Sequence, residues 1–229
     1  MEYGAVTEGK FLRRPNRFVA VVEADGREEI CHVKNTGRCR ELLVPGAQVY
    51  LNEGNRPGRK TKYDLVAVKK GKLLVNMDSQ APNEAAWEWL TGGAPGGGLP
   101  EIFSAEREKT WRNSRFDLCA ETSEGRMFIE VKGVTLERDG IALFPDAPTE
   151  RGKKHVQEMT EWVRAGNPGL LLFVIQMRPV KAFCPNEETH PAFAAALREA
   201  AQAGVRIMAV DCEVTPETMK IGRQVPVIL

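Results

Sequence analysis

Long apolar runs are missing from this chain of 229 residues: none exceeds six residues, the length of Leu170 to Ile175. Because a helix that crosses a bilayer needs about 20 apolar residues, the sequence predicts no transmembrane segment. The opening residues, MEYGAVTEGK, contain acids and no apolar stretch, so a secretory signal peptide is not expected. We expect a cytoplasmic protein with no membrane partner.

Cysteine pairs of the CxxC type are also missing, and the cysteines number five, which is odd. This pattern favours reduced thiols in a cytoplasm over a disulfide framework or a closed zinc site. No helix-turn-helix or zinc-finger pattern is present, so specific reading of a promoter is not expected. The composition that is present, 42% hydrophobic and 28% charged, is typical of a globular protein.

Charge is distributed unevenly along the chain. Residues 1–80 carry 15 Lys and Arg against 10 Asp and Glu, whereas residues 81–229 carry 17 against 21. The densest positive stretch indicates either a surface for polyanions or a solvated strand-and-turn surface. Its basic residues are Arg56, Arg59, Lys60, Lys62, Lys69, Lys70 and Lys72.

The sequence predicts two domains, residues 1–80 and residues 81–229. The first contains five short strand candidates, with Asp25-Gly26 as a hairpin turn, and suits a small antiparallel barrel. In the second, two strands precede helices that alternate with strands, which indicates a mixed α/β sheet covered on both faces. The fold class is therefore mixed α/β.

The segment IEVKGVTL places Glu130 and Lys132 on one face of a predicted strand, because residues two apart project to the same side. Asp117 occupies the matching point of the preceding hairpin strand. Two carboxylates that approach each other repel unless a cation lies between them. The arrangement is either a cross-strand ion pair or a Mg²⁺ or Mn²⁺ site formed by Asp117 and Glu130, with Lys132 steering the attacking water.

A predicted helix, from about Glu150 to Ala165, begins within LFPDAPTERGKKH (143–155), with Thr149 as its N-cap. Its polar residues are either a solvated face or a site for a substrate phosphate, formed by Arg151, Lys154 and His155 near the helix N-terminus. Upstream, Glu106 or Glu108 could complete the acid cluster, although both also suit an ordinary surface.

The segment CHVKNTGR, residues 31–38, contains a predicted turn. Its first interpretation is a structural scaffold, and its second is a set of phosphate contacts that includes Arg38.

Six motifs occur in order along the chain: NTGR (35–38), VN (75–76), SRFDL (114–118), IEVKGVTL (129–136), FPDAPTERGKKH (144–155) and QVPVIL (224–229). Together they resemble the sugar fermentation stimulation protein A family over nearly the whole chain. The resemblance implies an N-terminal OB-fold and a C-terminal domain of the PD-(D/E)xK nuclease type. It also implies DNA binding and an association with regulation of sugar (maltose) metabolism genes.

Position by position, the resemblance implies a nuclease signature at Asp117, Glu130 and Lys132. Glu108 best matches the upstream family glutamate, with Glu106 as the alternative. The remaining matches fall on the family's helix motif and are Thr149, Glu150, Arg151, Lys154 and His155.

Two functions follow from these expectations. The first is a DNA-binding protein with a Mg²⁺- or Mn²⁺-dependent phosphodiester-cleaving site. The second is a non-catalytic regulator of sugar metabolism genes that uses the nuclease fold as a scaffold. Few aromatic residues lie in residues 1–80, so we expect mainly electrostatic binding, largely indifferent to sequence, by Arg38, Arg56, Arg59, Lys60, Lys62 and Lys154. A homodimer is considered because nucleases of this type often dimerise.

Overall fold

The first part of the computed structural model is a closed barrel of five strands. Its strands are β1 (Val6–Asn16), β2 (Val19–Ala24), β3 (Arg27–Val33), β4 (Gln48–Glu53) and β5 (Tyr63–Lys70), and β6 (Leu73–Asn76) extends the sheet beyond β5. Pairing of β1 with β4 and parallel pairing of β3 with β5 close the barrel. This OB-like closure confirms the expected barrel. The structure describes residues 1–35, 37–54, 58–59, 61–93 and 98–229.

The turn between β2 and β3 follows the sequence signal. Asp25 and Gly26 both have positive φ, +50° and +73°, which is the backbone that a tight two-residue hairpin requires. Strand β1 was not expected. Phe11 is the one residue of β1 that is buried, so the strand lacks the apolar signal that marks a core strand.

The second part contains a six-stranded mixed sheet in the order β15-β14-β12-β9-β8-β7, which confirms the mixed α/β class. Helix α1 covers one face of this sheet, and α2 and α3 cover the other. The helices are α1 (Ala81–Thr91), α2 (Glu150–Arg164) and α3 (Pro191–Gln202). The strands are β7 (Ile102–Trp111), β8 (Ser114–Thr122), β9 (Gly125–Val134), β12 (Gly169–Ile175), β14 (Arg206–Val214) and β15 (Met219–Val225).

A smaller three-stranded sheet, β10-β11-β13, lies beside it and was not expected. Its short strands are β10 (Leu136–Arg138), β11 (Ile141–Phe144) and β13 (Ala182–Pro185). Within the described ranges, no helix is long and apolar enough to cross a membrane. All five cysteines lie in these ranges and carry free thiols.

A buried polar network joins the barrel to the mixed sheet. The Gln176 side-chain amide, after β12, donates to the backbone carbonyls of Asn76 and Asp78 at 3.0 Å each. In return, the Asn76 backbone nitrogen donates to the Gln176 backbone carbonyl at 2.9 Å. Both Gln176 and Asn76 are at most 1% exposed. Satisfied polar groups at such depth fix the angle between two elements, because breaking any bond leaves a buried group unpaired.

The domain boundary near residue 80 stays a prediction. Residues at the very start of the chain bond to the second part: the Tyr3 backbone nitrogen donates to the Glu217 carbonyl at 2.7 Å.

We predict that Gln176→Ala lowers the free energy of unfolding by about 1–3 kcal/mol, because the carbonyls of Asn76 and Asp78 lose their buried donor. Chemical denaturation measures this difference. Gln157→Ala, at an exposed position of α2, is the matched control. Equal losses in the two variants would contradict the account of the network.

Candidate metal and phosphate site

Asp117 and Glu130 lie where two neighbouring strands separate. The antiparallel ladder of β8 and β9 runs from Thr122 opposite Gly125 to Leu118 opposite Ile129. Continuing this register by one residue brings Asp117 beside Glu130, as the sequence predicts. The ladder ends there because the Val131 backbone nitrogen donates to Asp117 Oδ2 at 2.8 Å rather than to a carbonyl.

The Glu130 carboxylate is buried, and its two oxygens differ. Oε1 accepts hydrogen bonds from Lys132 Nζ and His155 Nδ1, each at 2.5 Å. Oε2 has no partner among the described residues, although Glu130 is only 2% exposed. A buried carboxylate oxygen without a partner is costly. A cation bound beside Oε2 would therefore stabilise this carboxylate.

Burial and nearby charges shift the pKa values of the Asp117 and Glu130 carboxyl groups in opposite directions. Burial, together with the nearby Glu130 charge, raises the pKa of Asp117. Burial also acts to raise the pKa of Glu130, but the hydrogen bonds and charges of His155 and Lys132 outweigh it and hold that pKa below its usual value. Two neighbouring carboxyl groups whose environments shift their pKa values apart are typical of a functional site.

A cleft of about 260 Å³ opens above these carboxylates. The starts of α1 and α2 form its two sides, so the N-termini of two helices lie at its rim. Positive partial charge at helix N-termini favours anions. Its lining residues are Ser79, Pro82, Asn83, Asp117, Glu130, Val131, Lys132, Gly133, Thr149, Arg151, Gly152 and His155.

The start of α2 is held in place by two contacts. Thr149 accepts a hydrogen bond from the Gly152 nitrogen at 3.0 Å through its side chain, which confirms it as the N-cap. The Thr149 backbone nitrogen donates to His190 Nδ1 at 3.3 Å. These contacts place Arg151 at the rim of the cleft and His155, one turn later, against Glu130.

Asn83, on α1, is a site residue that sequence reasoning missed. Its Nδ2 donates to Asp117 Oδ1 at 2.9 Å, so both oxygens of Asp117 accept a hydrogen bond. The only signal for Asn83 in the sequence is its place in the first turn of a helix after Ala81-Pro82. That signal says nothing about which strand the helix covers.

The structure does not bring Glu108 or Glu106 to the cleft. Glu108 has φ of +55°, and its exposed carboxylate lies 3.3 Å from Arg115. Glu106 pairs with Lys109 at 2.6 Å, also at the surface. Both glutamates form ion pairs with basic side chains of the same hairpin, which accounts for their position. Lys154 likewise lies outside the cleft lining and pairs with Glu158 at 3.6 Å.

The basic stretch of the barrel is partly neutralised within the protein. Arg59 pairs with Asp64, and Lys62 lies 3.7 Å from Glu53. Arg56 and Lys60 lie outside the described residues. Nucleic-acid contacts at these four positions stay predictions.

The Arg38 side chain is exposed, in a loop whose carbonyls are held by one guanidinium. Arg14 donates to the carbonyls of Gly37 and Arg38 at 2.9 and 2.8 Å. The predicted turn scaffold is therefore present. The Arg38 side chain makes no ion pair with any residue of the described ranges.

The donor set suits a hard cation that keeps part of its own water shell. Across the described ranges, no group of three or more His, Cys, Asp and Glu side chains is placed to hold an ion by itself. Asp117 and Glu130 supply two carboxylates. Mg²⁺ is usually held by one or two carboxylates, with waters and substrate phosphates as the other ligands. The residues present therefore fit such an ion.

Two family models match separate parts of the chain. The family described as "Sugar fermentation stimulation protein RE domain" matches residues 80–218, and "SfsA N-terminal OB domain" matches residues 12–77. A sugar fermentation stimulation protein homolog of Desulfitobacterium hafniense (strain Y51) is 54% identical over all of this chain and 99% of that protein. The homolog of Clostridium beijerinckii is 49% identical, with both chains fully covered.

One solved structure is similar throughout. "The structure of Pyrococcus Furiosus SfsA in complex with Ca2+" has a TM-score of 0.87 and 30% identity, and the match covers 100% of this chain and 98% of that one.

We predict opposite pH dependences for two variants melted in EDTA. The raised pKa of Asp117 means that wild type loses stability as pH rises through that range, so the Tm of Asp117→Asn relative to wild type should increase from about pH 4 to about pH 7. The lowered pKa of Glu130 means that its stabilisation is present above the unfolded pKa and is lost as pH falls. The relative Tm of Glu130→Gln should therefore decrease as pH rises from about pH 3 to about pH 5, the range around and below the unfolded pKa of a glutamate. If the relative Tm of both variants changed with pH in the same direction, the opposite pKa shifts of Asp117 and Glu130 would be contradicted.

Proposed function

Because the chain belongs to the sugar fermentation stimulation protein family, we propose that it binds DNA and cleaves phosphodiester bonds with Mg²⁺ or Mn²⁺, largely without sequence preference. The observation that carries this proposal is the buried Glu130 carboxylate, with one oxygen unpartnered, beside Asp117 and Lys132. The OB domain supports nucleic-acid binding. The Ca²⁺ complex of the Pyrococcus furiosus relative supports a divalent cation, since Ca²⁺ also prefers oxygen ligands.

Asp117 and Glu130 would hold the divalent ion. When bound, such an ion polarises a phosphoryl oxygen and lowers the pKa of a coordinated water. The protein's part is to hold both carboxylates in position and to oppose the rise in pKa that burial causes. Asn83 and the Val131 nitrogen do so for Asp117, and His155 and Lys132 do so for Glu130.

Lys132 is the residue proposed to stabilise the transition state electrostatically. Its Nζ is bound to Glu130 Oε1, and its side chain is 15% exposed at the cleft. A cation in this position orients the attacking water and offsets the charge that develops on the scissile phosphate. Preorganised groups of this kind act chiefly on the transition state.

Arg151 is the proposed phosphate anchor. It lines the cleft, is exposed, and has no ion-pair partner among the described residues. The start of α2 adds backbone N–H groups and the positive end of the helix dipole. These contacts would hold the substrate phosphate above the two carboxylates.

The alternative is a regulator without catalysis, and only the name shared by the relatives favours it. A scaffold that merely binds DNA has no need for two carboxylates at one point of a buried strand pair. We therefore favour the enzyme.

We predict that Lys132→Ala binds Mn²⁺ and DNA like wild type but cleaves at least ~100-fold more slowly, because it lacks one preorganised electrostatic group. Asp117→Asn, as the contrasting variant, should bind Mn²⁺ more weakly. Calorimetry measures the metal, and gel assays measure cleavage of single-stranded, duplex, branched and hybrid substrates. Cleavage of none of them by wild type would favour the regulator, and equal cleavage by Lys132→Ala would remove the role given to Lys132.

We predict that Arg151→Ala and Arg38→Ala each reduce the slope of log Kd against log salt by about 0.9 on duplex DNA, since each removes one phosphate contact. Fluorescence anisotropy at several salt concentrations measures this slope. Lys220→Ala, at an exposed position of β15 away from the cleft, is the control and should keep the wild-type slope. An unchanged slope in Arg151→Ala would place the phosphate elsewhere.

A further inference from the structure

A second cavity lies on the outer wall of the barrel, where β3 and β5 pair, and the chemistry above does not use it. It measures about 600 Å³, within the range of about 300–1,000 Å³ that is common for small-ligand sites. His32 and Asp64, which are opposite each other in the β3–β5 pairing, form part of its wall. Asn52 and Gln80 also line it.

Among the residues that the structure describes, the two cations that line this cavity, Lys34 and Arg59, are already neutralised. Lys34 forms an ion pair with Asp78, whose side chain is 2% exposed. Arg59 binds both carboxylate oxygens of Asp64. A phosphate group would have to compete with these carboxylates, so the cavity favours a neutral polar ligand.

Three neutral polar groups at the cavity are available to such a ligand. They are the His32 ring, the Asn52 amide nitrogen and the Gln80 side-chain amide. In the part of the chain that the structure describes, none of the three has a hydrogen-bond partner, although the Asn52 oxygen accepts from the Gly4 nitrogen at 3.1 Å. Amide and imidazole groups pair well with the hydrogen-bonding edge of a nucleobase.

The cavity adjoins the catalytic cleft. Ser79 lines the cleft, and the next residue, Gln80, lines the cavity. Because neighbouring residues line both openings, a strand held by one phosphate in the cleft would run past the cavity. A base inside a duplex must first be unpaired and unstacked to leave the helix.

Building on the function proposed above, we propose that this cavity receives the unpaired nucleobase next to the scissile phosphate. The substrate is then single-stranded or locally opened DNA, and a closed duplex is bound only through its backbone. His32, Asn52 and Gln80 select for a base, whereas Arg151 and the two carboxylates act on the phosphate.

The test measures binding to the Lys132→Ala protein, which is expected to cleave slowly, in the presence of Mn²⁺. The probes are a short thymidine strand, an abasic strand of the same length and charge, a closed hairpin duplex, and thymidine 5′-monophosphate. We expect the thymidine strand to bind at least ~10-fold more tightly than the abasic strand, the scale of one base contact. Adding Gln80→Ala should bring this ratio toward one and leave the abasic affinity unchanged.

Gln80 is exposed and makes no side-chain cap bond, so this variant tests the cavity without disturbing the fold. His32→Ala is the second variant, with its Tm measured alongside, and Gln157→Ala is the control that keeps the ratio. Equal binding of thymidine and abasic strands, or preference for the hairpin, overturns the base site but leaves phosphate binding intact. Binding of no strand at all overturns the proposed function as well. Monophosphate binding as tight as the strand overturns the link to the cleft.

Discussion

The arrangement of the second domain depends on one buried carboxylate. Glu130 lies on β9, inside the mixed sheet, where ionisation costs several kcal/mol unless charged donors surround it. Lys132 and His155 both converge on a single oxygen of that carboxylate. The hydrogen bond to His155 ties α2 to the sheet, and the position of α2 sets where Arg151 and the helix N-terminus lie. The second oxygen stays open for a cation.

The barrel is fixed relative to this carboxylate by a different set of buried bonds. Gln176 follows β12, the strand beside β9, and binds the segment that leaves the barrel at Asn76. That segment continues through Ser79 and Gln80 into α1, whose Asn83 holds Asp117. A single stretch of chain therefore connects the barrel wall, the cavity lined by Gln80 and the proposed metal ligands, so that the proposed binding and chemistry would depend on the same segment.

Sequence reasoning placed Asp117, Glu130 and Lys132 together, as the structure does, because the signals for this grouping are local. The two-residue period of a strand places Glu130 with Lys132, and a short hairpin turn places Asp117 beside them. The helical repeat places His155 one turn after the cap of α2. Asn83 has no such local signal, because its partner lies 34 residues away in sequence. Strand β1 was missed since its one buried residue, Phe11, gives no periodic pattern.

The charged residues were the least predictable part. The sequence does not show which charged residues pair with each other: Arg59 forms an ion pair with Asp64, and Glu108 forms one with Arg115. The most direct test of the central claim is the anomalous signal of a crystal soaked with saturating Mn²⁺. We predict a peak between Asp117 and Glu130 that is absent from Glu130→Gln. No peak between these carboxylates in wild type would contradict the account.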